Sequence, residues 1–92
     1  MATGVQAHVY ISGNVQGVYF RASTQEQAQR LEVNGWVKNL DDGRVEAVFE
    51  GPQSAVDALL EWCHEGPTRA SVAAVDVTFQ EPEGIEGFSI NY

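Results

Sequence analysis

One stretch of the chain concentrates residues able to do chemistry: Gly13-Asn14-Val15-Gln16-Gly17-Val18-Tyr19-Phe20-Arg21. It joins a strand-like segment to a helix-like one. The first N–H groups of a helix lack partners within it, and its dipole favours an anion there. Gly13 and Gly17 let successive N–H groups turn into one concavity, an anion nest. Arg21 falls at the helix start, where a guanidinium can match phosphate oxygens two at a time. These residues predict an oxyanion site. The plainer alternative is a turn shaped by two glycines beside a solvated arginine. The stretch lacks the third glycine of a dinucleotide fingerprint and the Gly-Lys-Ser/Thr of a P-loop.

A second candidate is Asn39, at the end of the short strand expected over Trp36–Leu40. A neutral amide can donate to a water and accept from it at once. That suits it to holding a nucleophilic water, not to deprotonating it. Asn also caps turns, and Asp41-Asp42-Gly43 follows directly, so capping is the alternative.

The elements that must position these groups follow from periodicity. Gln6–Ser12 alternates Ala7, Val9 and Ile11 with His8, Tyr10 and Ser12, a strand pattern. Phe20–Asn34 reads as a helix stopped by Asn34-Gly35, since glycine takes the left-handed conformation cheaply. Asp41-Asp42-Gly43 is a hairpin turn. Arg44–Gly51 is the return strand, with Val45, Ala47 and Phe49 on one face. Gly51-Pro52 opens a second helix, Pro suiting a first turn. Val56, Leu59, Leu60 and Cys63 form its apolar stripe, and Gly66-Pro67 ends it. Val72–Phe79 is a strand with Val75, Val77 and Phe79 on one face. Phe88, Ile90 and Tyr92 alternate in a short terminal strand and read as core or sheet-face packing. The order β-α-β-β-α-β-β predicts an α+β, ferredoxin-like sandwich. It places two helices on one face of an antiparallel sheet and adds an extra C-terminal strand.

Length and composition narrow the function classes. Ninety-two residues fit one domain, taken as residues 1–92. A chain this small buries roughly 60% of its extended surface. Thirteen acidic residues against five basic ones give a net charge of −8. Arg21, Arg30, Lys38, Arg44 and Arg69 are scattered, which argues against nucleic acid, whose binding needs clustered cations. A Glu-rich surface with one lysine suits a protein that stays soluble in concentrated salt. No apolar run reaches the ~20 residues of a membrane helix, and with no basic segment followed by an apolar one at the start, no signal peptide is expected. The expectation is a cytoplasmic protein with no membrane partner. A single cysteine, Cys63, forms no internal disulfide and reads as a buried hydrophobe. His8 and His64 are far apart, so no metal site is expected. Ser23 or Thr24 suits a helix-start cap. Tyr19 is placed near the mouth of the site and Phe20 in the core.

Val15-Gln16-Gly17-Val18-Tyr19-Phe20-Arg21, taken with Gly35-Trp36-Val37-Lys38-Asn39-Leu40-Asp41-Asp42-Gly43-Arg44-Val45, resembles the two signature segments of acylphosphatases. Gly51-Pro52 and the ending Phe88-Ser89-Ile90-Asn91-Tyr92 are similar too. The chain departs at Ser71, where relatives often carry a charge. The resemblance implies hydrolysis of acyl phosphates to a carboxylate and orthophosphate, without metal or organic cofactor. It implies that Arg21 binds the phosphate, that Asn39 orients the attacking water, and that the backbone of Val15, Gln16, Gly17, Val18, Tyr19 and Phe20 cradles a phosphate or sulfate ion. A monomer is the default expectation. A second reading on the same fold is an anion-sensing or partner-binding module without catalysis, which need not keep the Arg21/Asn39 pair.

Overall fold

The structure, a computed structural model, describes residues 4–92. In chain order they form β1 (Gly4–Asn14), α1 (Phe20–Leu31), β2 (Asn34–Asn39), β3 (Val45–Pro52), α2 (Gln53–Glu65), β4 (Ser71–Gln80) and β5 (Phe88–Asn91). The five strands make one sheet in the order β4-β1-β3-β2-β5. Both helices pack on one face, giving the ferredoxin-like α+β sandwich.

Alternation decides which side chains meet the helices. Ala7, Val9, Ile11, Val37, Val45, Ala47 and Phe49 are all fully buried, against Phe20 and Ala28 of α1 and Val56, Leu59 and Cys63 of α2. The register places Ala7 opposite Phe49, Val9 opposite Ala47 and Ile11 opposite Val45. The other face carries a polar and aromatic set. There His8 Nε2 lies 2.6 Å from Glu46 Oε2, and Lys38 Nζ 3.7 Å from Glu46 Oε1. No helix among the described residues is long and apolar enough to cross a membrane.

The sheet is mixed rather than wholly antiparallel, because β5 pairs in parallel with β2. The chain leaves β4 at one edge and returns at the other, so residues 81–87 must cross the end of the sheet. Glu50 holds this crossing. Its buried carboxylate accepts from the N–H groups of Glu83 (2.6 Å), Ile85 (2.7 Å) and Gly84 (2.9 Å) and from the Gln6 amide (2.8 Å). Burial alone would raise the Glu50 pKa. The Glu83 N–H, the Gln6 amide and the N–H groups of Ile85 and Gly84 outweigh it and hold the group below its ordinary value.

Helix α1 ends earlier than Asn34-Gly35. Glu32 takes the left-handed conformation (φ 60°). Its N–H bonds to Gln29 O, and that of Val33 bonds to Ala28 O. This Schellman pattern turns Val33, 2% exposed, into the core. Left-handed backbone costs a non-glycine residue ~1–2 kcal/mol; burial of Val33 offsets it. Gly35 serves the sheet instead, since a Cβ there would stand 1.8 Å from the Val48 carbonyl oxygen.

Other local expectations are also revised. Pro52 is the residue preceding α2, not part of its first turn. Neither Ser23 nor Thr24 caps α1; the Thr24 hydroxyl donates back to Phe20 O at 2.7 Å. Val77 and Phe79 lie on the helix side of the sheet but on its β4 edge. The helices do not extend over them, and they are 36% and 50% exposed.

Candidate active site

β1, β2 and β5 all run in one direction, since β1 and β2 are both antiparallel to β3 and β5 is parallel to β2. Their final residues therefore meet at one end of the sheet. The loop from β1 leads there into α1. Between them lies a cavity of about 330 Å³ lined by Val15, Gly17, Tyr19, Phe20, Arg21, Ala22, Asn39, Ile90 and Tyr92.

The loop is built to leave donors free. Gly17 and Tyr19 both have positive φ, 74° and 64°. A Cβ on Gly17 would touch nothing, so Gly17 is required by its dihedral and not by crowding. Tyr19 precedes α1 without a capping side chain, and no acidic residue occupies the first turn. Among the described residues, the N–H groups of Gly17, Val18, Tyr19 and Phe20 have no acceptor. The loop is anchored from beneath by its apolar residues, with Val15 and Phe20 each 1% exposed and Val18 9%.

Arg21 is half-buried and has no carboxylate partner among the described residues. Its guanidinium carbon sits 5.0 Å from the centre of the Tyr92 ring. Such a contact holds a cation without neutralising it.

Asn39 closes the other side. It pairs with Val45 across the sheet and so points to the helix-covered face. Its Oδ1 is buried and has no hydrogen-bond partner among the described residues. It does not cap the following turn, which is closed by backbone bonds from Leu40 N to Arg44 O and from Gly43 N to Leu40 O. A buried orphan acceptor costs roughly 1–3 kcal/mol, and it lies in the cavity that Arg21 also lines.

Of the expected site residues, Arg21, Asn39, Val15, Gly17, Tyr19 and Phe20 share the cavity. Gln16 and Val18 do not line it. Val18 faces the core. The Gln16 amide turns away and donates to Leu40 O (2.7 Å) and Arg44 O (2.9 Å), fastening the loop to the hairpin behind Asn39. No local pattern marks this partner, 24 residues away. Ala22, Ile90 and Tyr92 were also not expected in the site. Tyr92 does not pack on the sheet face, being 99% exposed, whereas Phe88 of the same strand is 8% exposed. Lys38 and Arg44 do not approach the cavity. Lys38 pairs with Glu46 and Arg44 with Asp42, on the hairpin and the open face. Burial pushes the Cys63 thiol up to about 12, which leaves it protonated and unreactive. Among the described residues, no three His, Cys, Asp or Glu side chains are grouped to hold a metal ion.

Comparison with known proteins gives a consistent result. The family model described as Acylphosphatase matches residues 7–90. An acylphosphatase of Haloquadratum walsbyi is 64% identical over 88 residues, covering 96% of this chain and 95% of that one. One of Haloarcula marismortui is 60% identical over 87 residues, covering 95% and 96%. The crystal structure of an acylphosphatase from Bacillus subtilis superposes with a TM-score of 0.93 at 40% identity, over 96% of this chain and 99% of that one.

Proposed function

The chain belongs to the acylphosphatase family and hydrolyses acyl phosphates, and we propose that it does so with Arg21, Asn39 and the main chain of residues 15–20. The observation that carries this assignment is the unpartnered, buried Oδ1 of Asn39 in the cavity that also holds the uncommitted Arg21 guanidinium.

The phosphoryl group sits in the loop, its oxygens accepting from the free N–H groups and the Arg21 fork. Phosphoryl transfer runs through a loose transition state, so the protein's task is positioning and charge stabilisation. Donors fixed before reaction gain strength as charge develops in a partly dry site. The Asn39 carboxamide accepts from a water through Oδ1 and holds it in line with the leaving oxygen. The water oxygen bonds to phosphorus as the bond from phosphorus to the acyl oxygen breaks. The carboxylate leaves with that electron pair, and orthophosphate remains.

Among the described residues, no Asp, Glu or His side chain lines the cavity. A phosphate oxygen therefore takes the water's proton. The scheme draws on no metal or organic cofactor, and the protein acts as a monomer in the cytoplasm.

The test is hydrolysis of benzoyl phosphate in the presence of EDTA, by the native protein and by Arg21→Ala. The assignment expects unimpaired native turnover in EDTA and a loss on the order of 10³-fold in the variant, as for deletion of an oxyanion donor. Full-rate hydrolysis by Arg21→Ala overturns it.

A further inference from the structure

Tyr19 is a residue whose cost the fold does not offset. It is held in left-handed backbone, φ 64° and ψ 25°, where a side chain other than Gly or Asn is disfavoured. Residues kept in such conformations are a reason to look for function. Core packing does not compensate, because the ring is 74% exposed. It stands on the rim of the cavity, whose apolar lining beyond the buried Val15 and Phe20 is made by Tyr19 itself, Ala22, Ile90 and Tyr92. About 330 Å³ is enough for a small molecule larger than a phosphate ion. With the phosphoryl group in the loop, the remaining space faces these four side chains.

From this we infer that the site selects acyl phosphates whose acyl group is bulky, apolar and uncharged, an aryl group above all, and that Tyr19 is the residue that selects them. The inference rests on the placement of the phosphoryl group given above. An aromatic ring on Tyr19 gains dispersion and edge or offset stacking that a methyl group cannot. Charge points the same way. Arg21 is the cation of the lining and is engaged by the phosphoryl group. Among the described residues, no second cation lines the cavity for a further anionic substituent. The net charge of −8 disfavours one as well.

The experiment compares kcat/KM for benzoyl phosphate and acetyl phosphate in the native protein, Tyr19→Phe, Tyr19→Asn and Tyr19→Gly. Asn and Gly both accept the backbone conformation while removing the ring, and melting curves show that each variant is folded. Any disturbance of the phosphate loop falls on both substrates and cancels in their ratio. The expected result is a benzoyl-to-acetyl ratio about tenfold lower in Tyr19→Asn and Tyr19→Gly, mostly through a higher KM for benzoyl phosphate. Tyr19→Phe keeps the native ratio. A ratio unchanged by Asn and Gly, or lost equally in Phe, overturns the inference. Arg21→Ala is measured alongside. If it abolishes hydrolysis of both substrates while the Tyr19 variants leave the ratio unmoved, the selectivity assignment alone has failed. If Arg21→Ala hydrolyses both at full rate, the underlying placement of the phosphoryl group has failed and the inference with it.

Discussion

Gln16 is tied to Leu40: its side-chain amide donates to the Leu40 carbonyl at 2.7 Å and also to that of Arg44 at 2.9 Å. These two carbonyls bracket the mouth of the β2–β3 hairpin, directly after Asn39. The loop that carries the unpartnered N–H groups and the strand that carries Asn39 are thus held by one side chain. Gln16→Ala leaves that link empty. The expected outcome is a loss of about 1–2 kcal/mol of stability from two partly buried hydrogen bonds. A fall in kcat of about tenfold or more accompanies it, because reacting groups tolerate little misplacement. Gln16→Glu, which turns carboxylate oxygens toward two carbonyls, is at least as damaging. Urea midpoints and steady-state kinetics check both.

Asn39→Ala separates water positioning from phosphate binding. The expected outcome is a fall in kcat of about 10²-fold, with inhibition by inorganic phosphate changed by no more than a few fold. Parallel loss of phosphate inhibition would place Asn39 in the anion cradle instead. Measuring kcat and the phosphate inhibition constant side by side decides between them.

Glu50 makes stability depend on acid. Its folded pKa lies below the ordinary carboxylate value. The unfolded chain therefore takes up a proton first as pH falls. The stabilisation from Glu50 is complete above the ordinary carboxylate range, declines as pH drops through it and is gone below the folded pKa. Glu50→Gln removes this dependence. It also costs about 2–3 kcal/mol at neutral pH, since an amide replaces a charged acceptor facing three N–H groups and the Gln6 amide. Chemical denaturation of both proteins at several pH values between 3 and 7 tests this.

Cys63 is fully buried, and its thiol is pushed up to about 12. A thiol-specific chromogenic reagent is expected to leave the folded protein unlabelled and fully active. In denaturant it labels one thiol per chain. Rapid labelling of the folded protein at neutral pH would contradict the burial.

Salt is expected to stabilise the protein. A charge of −8 on 92 residues repels itself. Screening shortens from ~10 Å at 0.1 M to ~3 Å at 1 M salt. Thermal melts from 0.05 to 2 M KCl should show a rising Tm without precipitation.

What could be read from residue order was whatever neighbouring residues settle among themselves. Period-two alternation at Ala7, Val9 and Ile11 and the Val56–Cys63 stripe are short-range patterns. Each marks which face is buried. Gly17 and Arg21 stand four residues apart, so a candidate anion site could be read from the sequence. Gly13, expected to share in the nest, instead belongs to β1 and gives β4 room at a bulge, where a Cβ would stand 2.2 Å from Ser71 O. Asn39 could be nominated, but residue order alone favoured a turn cap; in the fold its oxygen is buried and the turn is closed by backbone bonds instead.

Contacts between distant segments decided the rest. Local propensity favoured Asn34-Gly35 as the end of α1. The pull of Val33 into the core moved that end to Glu32, because burial of an apolar side chain outweighs a left-handed glutamate. The parallel pairing of β5 depends on a crossing held by Glu50, and no local pattern encodes it. Ile90 and Tyr92 enter the site through that pairing, and Gln16 clamps a hairpin 24 residues further along. Residue types fixed which chemistry was possible. Only the closing of the sheet brought the guanidinium, the free N–H groups and the carboxamide into one cavity, because hydrogen bonds and buried surface between remote segments exist only once the chain has folded.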